Sequence, residues 1–149
     1  MKIGVSACLL GDSVTWKGSH NESLILKELL KDHEIIKVCP EVLAGLSIPR
    51  NPSEIISFQP LIIKDNKNND VSNEFKNGAL YALDLLNDID FVILKANSPS
   101  CGNQQVYDGT FSHRLVEGKG VFADLLFKKG IIVFNENQID EIKKCLEKG

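Results

Sequence analysis

Three of the four cysteines in this chain, Cys8, Cys39 and Cys101, each follow a segment with the pattern of a β-strand. They form no Cys-x-x-Cys pair, so their spacing is not typical of a zinc ribbon or a thioredoxin-type redox pair. Soft thiolates favour zinc, copper(I) or iron–sulfur clusters. Three cysteines on a cubane cluster or on a zinc ion would leave one open coordination position. The residues therefore predict an open soft-metal site and do not separate zinc from iron.

The composition, the charge and the first residues predict the class of protein and the cellular compartment in which these thiols lie. The 149 residues include 43% hydrophobic and 25% charged residues, as expected for one soluble domain over 1–149. The formal charge is −3 and both signs are interspersed, which predicts neither a nucleic-acid-binding face nor a membrane-binding patch. Met1–Val5 begins directly as a strand, so we expect no secretory signal and a cytoplasmic protein. Thiols are kept reduced there, which favours free, catalytic or metal-bound cysteines.

Strands and helices alternate along the chain. Apolar runs predict strands at residues 2–7, 34–38, 91–96 and 131–134. Apolar residues at helical spacing predict helices at 22–32, at 73–87 with Ser72 as N-cap, at 119–129, and at 137–147 with Asn137 as N-cap. Less regular segments predict short helical turns at 41–45 and 52–56, an extended segment at 58–64 and a long loop at 97–118.

This alternation predicts an α/β domain with a mainly parallel, Rossmann-like sheet flanked by helices. In such folds the ligand site lies beyond the carboxyl ends of the strands. Cys8, Cys39 and Cys101 all fall at such ends, so we expect them to share one pocket. Cys145 lies in the predicted last helix beside apolar residues, where a cysteine usually serves as a small buried hydrophobe.

Other chemically active side chains fall at the same predicted edge. Glu41 follows Cys39 by two residues and is a candidate acid/base beside a metal. A carboxylate there would also complement the dipole of a helix that starts nearby. Ser98 and Ser100 lie in a tight turn before Cys101, where their hydroxyls either face the metal or bond to local backbone.

Three further residues are predicted to bind substrate. Lys95, at a strand end, would neutralise a cluster or orient the substrate, unless its side chain simply extends to solvent. Arg50 ends a proline-stiffened loop and would clamp an anionic or carbonyl group, unless it pairs with a surface acid. Asp108 lies in a turn, where an aspartate also commonly bonds to its own backbone.

With these residues in view, the chain resembles the thiouracil desulfurase family. The resemblance runs from the first strand to about Glu136 and rests on several motifs in the same order. The matching segments are Val5–Gly11, Val38–Glu41, Gly45–Leu46, Ile48–Arg50, Leu94–Gly102, Val106–Phe111 and Gly118–Val121.

The resemblance implies an enzyme that removes sulfur from 2-thiouracil, giving uracil and sulfide without net redox change. It implies a [4Fe-4S] cluster on Cys8, Cys39 and Cys101, with one iron open to the sulfur of a small thio-base. Glu41 would be the acid/base, and Ser98 or Ser100 would position or protonate the substrate. A zinc enzyme on the same cysteines and a non-catalytic iron–sulfur or sulfur-carrier protein are the alternatives. The oligomeric state stays open.

One loop departs from the family pattern. Where members usually carry Arg-Tyr-Asp-Gly, this chain has Thr15–Gly18, with the sequence Thr-Trp-Lys-Gly. A neutral and a positive side chain thereby replace a positive and a negative one. If this loop lines the pocket, we expect the substrate to differ, and Trp16 is then either a stacking surface for a flat ring or a packing residue.

Overall fold

The computed structural model describes residues 1–148. The strands are β1 (Lys2–Ser6), β2 (Glu34–Val38), β3 (Ser53–Phe58), β4 (Leu61–Asp65), β5 (Phe91–Leu94), β6 (Gln105–Tyr107), β7 (Leu115–Glu117) and β8 (Val133–Asn135). The α-helices are α1 (Leu24–Leu30), α2 (Pro40–Leu43), α3 (Ser72–Asp84), α4 (Val121–Lys128) and α5 (Ile139–Glu147), and a 3₁₀ helix spans Ala7–Leu10. Within residues 1–148, no helix is long and apolar enough to cross a membrane.

A four-stranded parallel sheet in the order β2-β1-β5-β8 forms the centre of the molecule. The predicted α/β class with a parallel sheet is thus confirmed. Every residue of β5 is buried, which explains its continuous apolar sequence, because a central parallel strand is covered on both faces. In register, Ser6 of β1 lies beside Val38 of β2, so these two strands end at the same edge of the sheet.

Helices cover the two faces of the sheet. Alternate residues of β5 point to opposite sides, since successive side chains of a strand do so. Val92 and Leu94 pack in one cluster with residues of α3 and α4. Phe91 and Ile93 pack in the other with residues of α1 and α5, including the fully buried Ile142. Two hydrophobic layers therefore hold the sheet rigidly, and its carboxyl edge is built on that support.

Two antiparallel hairpins, β3–β4 and β6–β7, lie outside the central sheet. The predicted helical turn at 52–56 is wrong, because Ser53–Phe58 is strand β3. The predicted loop at 97–118 contains the β6–β7 hairpin. Strand pairing and burial determine the conformation of both segments. Ile55 of β3 and Val106 of β6 pack in a third hydrophobic cluster with Phe75 of α3. These partners are distant in sequence, so local patterns do not reveal them.

The predicted helix caps are only partly correct in position. Ser72 is the first residue of α3 rather than its N-cap, which is Val71. The Ser72 hydroxyl accepts a hydrogen bond from Ile63 N at 2.8 Å and bonds to Asp70 Oδ1 at 2.6 Å, so it fastens α3 to β4. Helix α5 begins at Ile139 with Gln138 as its N-cap, one residue after the predicted cap Asn137.

Helices α2 and α3 approach closely at Gly78. A Cβ atom there would collide with the carbonyl oxygen of Pro40 and lie 2.9 Å from Cβ of Ala44. Pro40 follows Cys39 directly, so this contact sets the position of the segment that carries Cys39 and Glu41. The absence of a side chain at Gly78 lets α2 rest on α3.

We predict that Gly78→Ala destabilises the protein, on the order of 1–3 kcal/mol, because the added methyl group overpacks the α2–α3 contact. Thermal unfolding followed by circular dichroism measures this change. The matched control is Asn77→Ala, one residue earlier on an exposed face of α3, where alanine should be neutral or slightly stabilising. Equal melting temperatures for Gly78→Ala and the unaltered protein would contradict the prediction.

Candidate functional site

A cavity of ≈ 530 Å³ opens at the carboxyl edge of β1, β2 and β5, and Cys8, Cys39 and Cys101 all line it. The sequence placed these three thiols at one pocket, and the structure brings them to one cavity. Cys145 is on α5, packs against the hydrophobic cluster of Phe91 and Ile93, and does not line the cavity. The cavity volume lies in the range typical of sites for small molecules and cofactors.

Each cavity cysteine is held by a short element at the end of a strand. Cys8 lies in the 3₁₀ helix that follows β1, and Cys39 directly precedes α2. Cys101 ends a tight turn in which its backbone N–H donates to Ser98 Oγ at 2.8 Å, and Gly102 N donates to Ser98 O at 2.9 Å. The Ser98 hydroxyl thus shapes the turn that presents the third thiol.

Burial raises the pKa of all three cavity thiols. The effect is largest for Cys101, whose pKa it raises to about 12, although hydrogen bonds from Ser100 and Ser6 oppose it. Burial also raises the pKa of Cys8, which a hydrogen bond with Asn21 and the charge of Lys95 oppose. The charge of Cys39 acts on both other thiols, as expected for groups that face a shared cavity.

The arrangement of the thiols distinguishes between metal centres. Within residues 1–148, no three His, Cys, Asp or Glu side chains lie close enough to hold a single metal ion. Around one tetrahedral zinc ion the sulfurs would lie within about 4 Å of each other, because each Zn–S bond is about 2.3 Å long. A cubane cluster binds each cysteine through a different iron, so its ligands surround a larger volume. Three thiols that line one cavity without converging on a single point suit the larger cluster better than a single zinc ion.

Glu41 lies in the first turn of α2 and makes two well-defined hydrogen bonds. Its Oε1 accepts from Arg50 Nε at 3.0 Å, and its Oε2 accepts from Ser100 Oγ at 2.8 Å. The side chains of Arg50 and Glu41 are only 8% and 15% exposed, so this ion pair is largely shielded from water. The Ser100 hydroxyl also lies 3.6 Å from Cys101 Sγ, which connects the carboxylate to the third thiol.

Arg50 lines the cavity, but the protein itself takes up much of its hydrogen-bonding capacity. Besides Glu41, its guanidinium donates to the carbonyl oxygens of Ser47 at 3.2 Å and Val14 at 2.9 Å. Its backbone N–H donates to Trp16 O at 2.6 Å. Arg50 therefore positions the acidic group and the 14–16 loop, and its direct contact with a substrate stays a prediction.

Lys95 also lines the cavity, and it has an acidic partner that the sequence did not indicate. Its Nζ lies 2.8 Å from Glu136 Oε2, while Glu136 Oε1 accepts from Ala96 N at 2.7 Å. Glu136 follows β8, the strand adjacent to β5, so only the sheet order brings the pair together. The ion pair keeps the lysine ammonium at the cavity edge, near Cys8.

Asp108 does not line the cavity. Its Oδ1 accepts from Thr110 N at 2.9 Å and from Thr110 Oγ1 at 2.6 Å, and these hydrogen bonds lower the pKa of its carboxyl group. The structure thus favours the local turn role over substrate binding. The same loop instead sends Tyr107, Phe111 and His113 into the cavity wall. Backbone φ angles of 57° at Phe111 and 61° at His113, uncommon for such residues, accompany this path.

The loop that departs from the family pattern lines the cavity. Thr15, Trp16 and Lys17 all belong to its wall, together with Ser19. Thr15 Oγ1 and Ser19 Oγ are 2.8 Å apart and close the loop on itself. The Trp16 side chain is 46% exposed, so much of its ring is available at the cavity mouth. The unusual residues are therefore placed where they can contact a bound molecule.

A family model described as 2-thiouracil desulfurase matches residues 3–138 of the chain. The chain belongs to this family. The uncharacterized protein YbbK of Bacillus subtilis (strain 168) is 37% identical to it, over 93% of this chain and 97% of that protein. A solved structure of the [4Fe-4S]-dependent thiouracil desulfidase TudS is 38% identical, with a TM-score of 0.90 and 99% of each chain covered. The resemblance stated from the motifs is thus confirmed.

The match to the 2-thiouracil desulfurase family includes the hairpins as well as the central sheet. The fold match with TudS spans 99% of this chain, so it includes β3–β4 and β6–β7, which the motifs alone did not reveal. Both hairpins contribute walls of the cavity through Ser53, Glu54 and Tyr107. In this chain the parallel sheet carries the thiols, and the two hairpins contribute to the cavity around them.

We predict that, in metal-free protein, Cys101 reacts with iodoacetamide more slowly than Cys8 or Cys39. Burial raises the pKa of Cys101 to about 12, and its side chain is more enclosed than that of Cys39, so little of the reactive thiolate is present at neutral pH. Mass spectrometry of tryptic peptides after timed alkylation gives the rate at each site. Denatured protein, in which all sites react alike, is the control. A Cys101 rate equal to that of Cys39 in the folded protein would refute the prediction.

Proposed function

We propose that this protein is an iron–sulfur-dependent desulfurase that converts the C=S group of a thiolated pyrimidine base, such as 2-thiouracil, into C=O. One water molecule is consumed and one sulfide is released, with no net redox change. The observation that carries the proposal is the convergence of Cys8, Cys39 and Cys101 on one cavity that also holds the Glu41–Ser100 pair. Family membership and the likeness to TudS support it.

Cys8, Cys39 and Cys101 would hold a [4Fe-4S] cluster, and Cys145 on α5 would not contribute. A cluster with three protein ligands supplies an iron with an open position, which acts as a Lewis acid towards a thiocarbonyl sulfur. The three thiols must lose their protons when the metal binds. Lys95, whose charge favours the ionised form of Cys8, would offset part of the negative charge that this creates.

Glu41 would act as the general base. Its carboxylate lines the cavity and is held at both oxygens, so its orientation is fixed, and it would activate a water molecule bound there. In the proposed step Glu41 accepts a proton from the water that attacks the thiocarbonyl carbon. Ser100, which donates to Glu41, would pass its hydroxyl proton to the sulfur and regain a proton from protonated Glu41. Sulfide would then leave as HS⁻ while the hydroxyl proton of the adduct is released to water as C=O forms. Ser98 would maintain the turn that positions Ser100.

The reaction would take place in the cytoplasm, where thiols remain reduced before metal insertion. The substrate would be a free small molecule, because the cavity is deep enough for a ring and its substituents. Trp16 and Lys17 occupy the part of the wall that differs from the family pattern, so they are the residues expected to adapt the preference among thio-bases.

The first test is metal content and turnover of protein prepared and reconstituted without oxygen. We expect a brown protein with about four irons and four sulfides per chain, as a cubane cluster requires, and release of uracil and sulfide from 2-thiouracil. Cys101→Ala should lose the normal cluster spectrum, whereas the matched control Cys145→Ala should retain it. A loaded protein that binds sulfide but turns over no thio-base would instead indicate a sulfur carrier. Stoichiometric zinc would indicate the zinc alternative.

The second test concerns the base. We expect Glu41→Gln to lower kcat by about 10²–10⁴-fold, the usual contribution of a positioned acid/base, while the cluster spectrum stays unchanged. Glutamine keeps the size of the side chain and removes its capacity to accept a proton. Glu22→Gln removes a carboxylate from a more exposed pair with Lys27 and is the matched control. Full activity of cluster-loaded Glu41→Gln would exclude Glu41 as the base.

A further inference from the structure

Glu54 is a buried acidic residue of the cavity wall to which no role has yet been assigned. It lies on β3, its relative exposure is 9%, and it lines the same cavity as the three cysteines. Within residues 1–148, no Lys, Arg or His side chain forms an ion pair with it. A buried carboxylate without a cation is costly unless hydrogen bonds satisfy its oxygens.

In the part of the chain that the structure describes, only one oxygen of Glu54 has hydrogen-bond partners. Oε1 accepts from Gly109 N at 3.0 Å and from Phe111 N at 3.2 Å. Oε2 has no hydrogen-bond partner within residues 1–148, and yet no side-chain oxygen there is both fully buried and unpartnered. Oε2 must therefore be accessible, and Glu54 contributes to the wall of the cavity. The result is a fixed carboxylate with a free acceptor.

The bonds to Oε1 hold the side chain in place. Gly109 has a φ of 93°, and a Cβ there would lie 2.8 Å from the carbonyl oxygen of Ile55. Only glycine allows the loop to pass so close to β3. Two backbone N–H groups then clamp Oε1, which leaves the Glu54 carboxylate little freedom to rotate. A rigid acceptor on a largely buried side chain discriminates between ligands that donate a hydrogen bond and those that do not.

The other side chains of the cavity wall indicate the shape of a molecule that could donate a hydrogen bond to Glu54 Oε2. Trp16, Tyr107, Phe111 and His113 supply aromatic surfaces to the same cavity, and the rings of Tyr107 and His113 meet edge to face at 6.4 Å. Aromatic walls favour a flat ring. A flat ring that carries a thiocarbonyl group beside ring nitrogens presents N–H donors at its edge. Such an N–H group is the chemical complement of the free Glu54 oxygen.

We propose that Glu54 is a specificity-determining residue whose Oε2 accepts a hydrogen bond from a ring N–H group of the substrate. The proposal rests on the proposed function, since it names the part of the thio-base that the cavity recognises. It predicts a preference for cyclic thioamides that retain a ring N–H over derivatives in which that nitrogen is alkylated. A carboxylate that only held the loop would create no such preference.

The test compares Glu54→Gln with the unaltered protein, both loaded with cluster, on 2-thiouracil and its 1-methyl and 3-methyl derivatives. Glutamine can keep an oxygen toward Gly109 and Phe111 while it presents an NH₂ group in place of Oε2. We expect kcat/KM for 2-thiouracil to fall on the order of 10- to 100-fold, as for loss of a hydrogen bond to a charged group. The methyl derivative that blocks this hydrogen bond should already have a low kcat/KM with the unaltered protein, and Glu54→Gln should lower that value little further.

Two further measurements separate substrate recognition from loop support. Thr110→Ala loosens the same loop by removing the hydrogen bond to Asp108, and it should affect all three substrates by the same factor. Calorimetric binding of uracil, which keeps both ring N–H groups, should weaken on the order of 10- to 100-fold in Glu54→Gln. This readout does not depend on turnover.

The outcomes are distinct. Equal losses on all three substrates in Glu54→Gln, or unchanged uracil binding, would overturn the role of Glu54 and leave the desulfurase proposal intact. An unaltered, cluster-loaded protein that turns over no thio-base would overturn the proposed function instead. A loss confined to substrates with the free ring N–H, together with weaker uracil binding, would establish the hydrogen bond to Glu54.

Discussion

The ion pair between Glu41 and Arg50 is the interaction on which the geometry of the cavity depends. Arg50 joins the start of α2 to the loop at residues 14–16, and Glu41 continues the chain of contacts through Ser100 to Cys101. Two of the three thiol-bearing segments are thereby linked through one shielded pair. Removal of one partner from such a pair typically costs on the order of 3–5 kcal/mol, because the remaining charge is left buried alone.

The same ion pair would also assist catalysis, because it fixes the orientation of the Glu41 carboxylate that would act as the base. A base in a flexible side chain must be reoriented for each turnover, whereas Glu41 is held at both oxygens. The central sheet supports this arrangement, since β5 is fully buried and leads directly into the segment that carries Lys95 and the Ser98–Cys101 turn. The hairpins then close the cavity from the side that the sheet leaves open.

Patterns within short segments predicted much of this molecule. The apolar run of β5 and the helical spacing in α3 predicted these elements correctly. An element that is buried on one face or on both shows this burial as a pattern of apolar residues within its own short segment. The helical turn predicted at 52–56 is wrong because the partner strand β4 and the cluster with Val106, which make this segment a strand, lie elsewhere in the chain. The predicted substrate contacts of Arg50 and Asp108 stay predictions, and the structure adds the protein partners of both side chains, which sequence does not show.

The α/β class and the three cysteines that line the cavity could be predicted from sequence, because the carboxyl ends of parallel strands lie at one edge of a sheet, and the motifs predicted the family. The contacts that support these thiols emerge only in the folded molecule. The pairing of Lys95 with Glu136 and the hydrogen bond from Gly109 to Glu54 join residues far apart in the chain, and the ion pair of Arg50 with Glu41 depends on the path of the loop after α2. Such contacts depend on strand order and loop path, which local physical preferences do not specify.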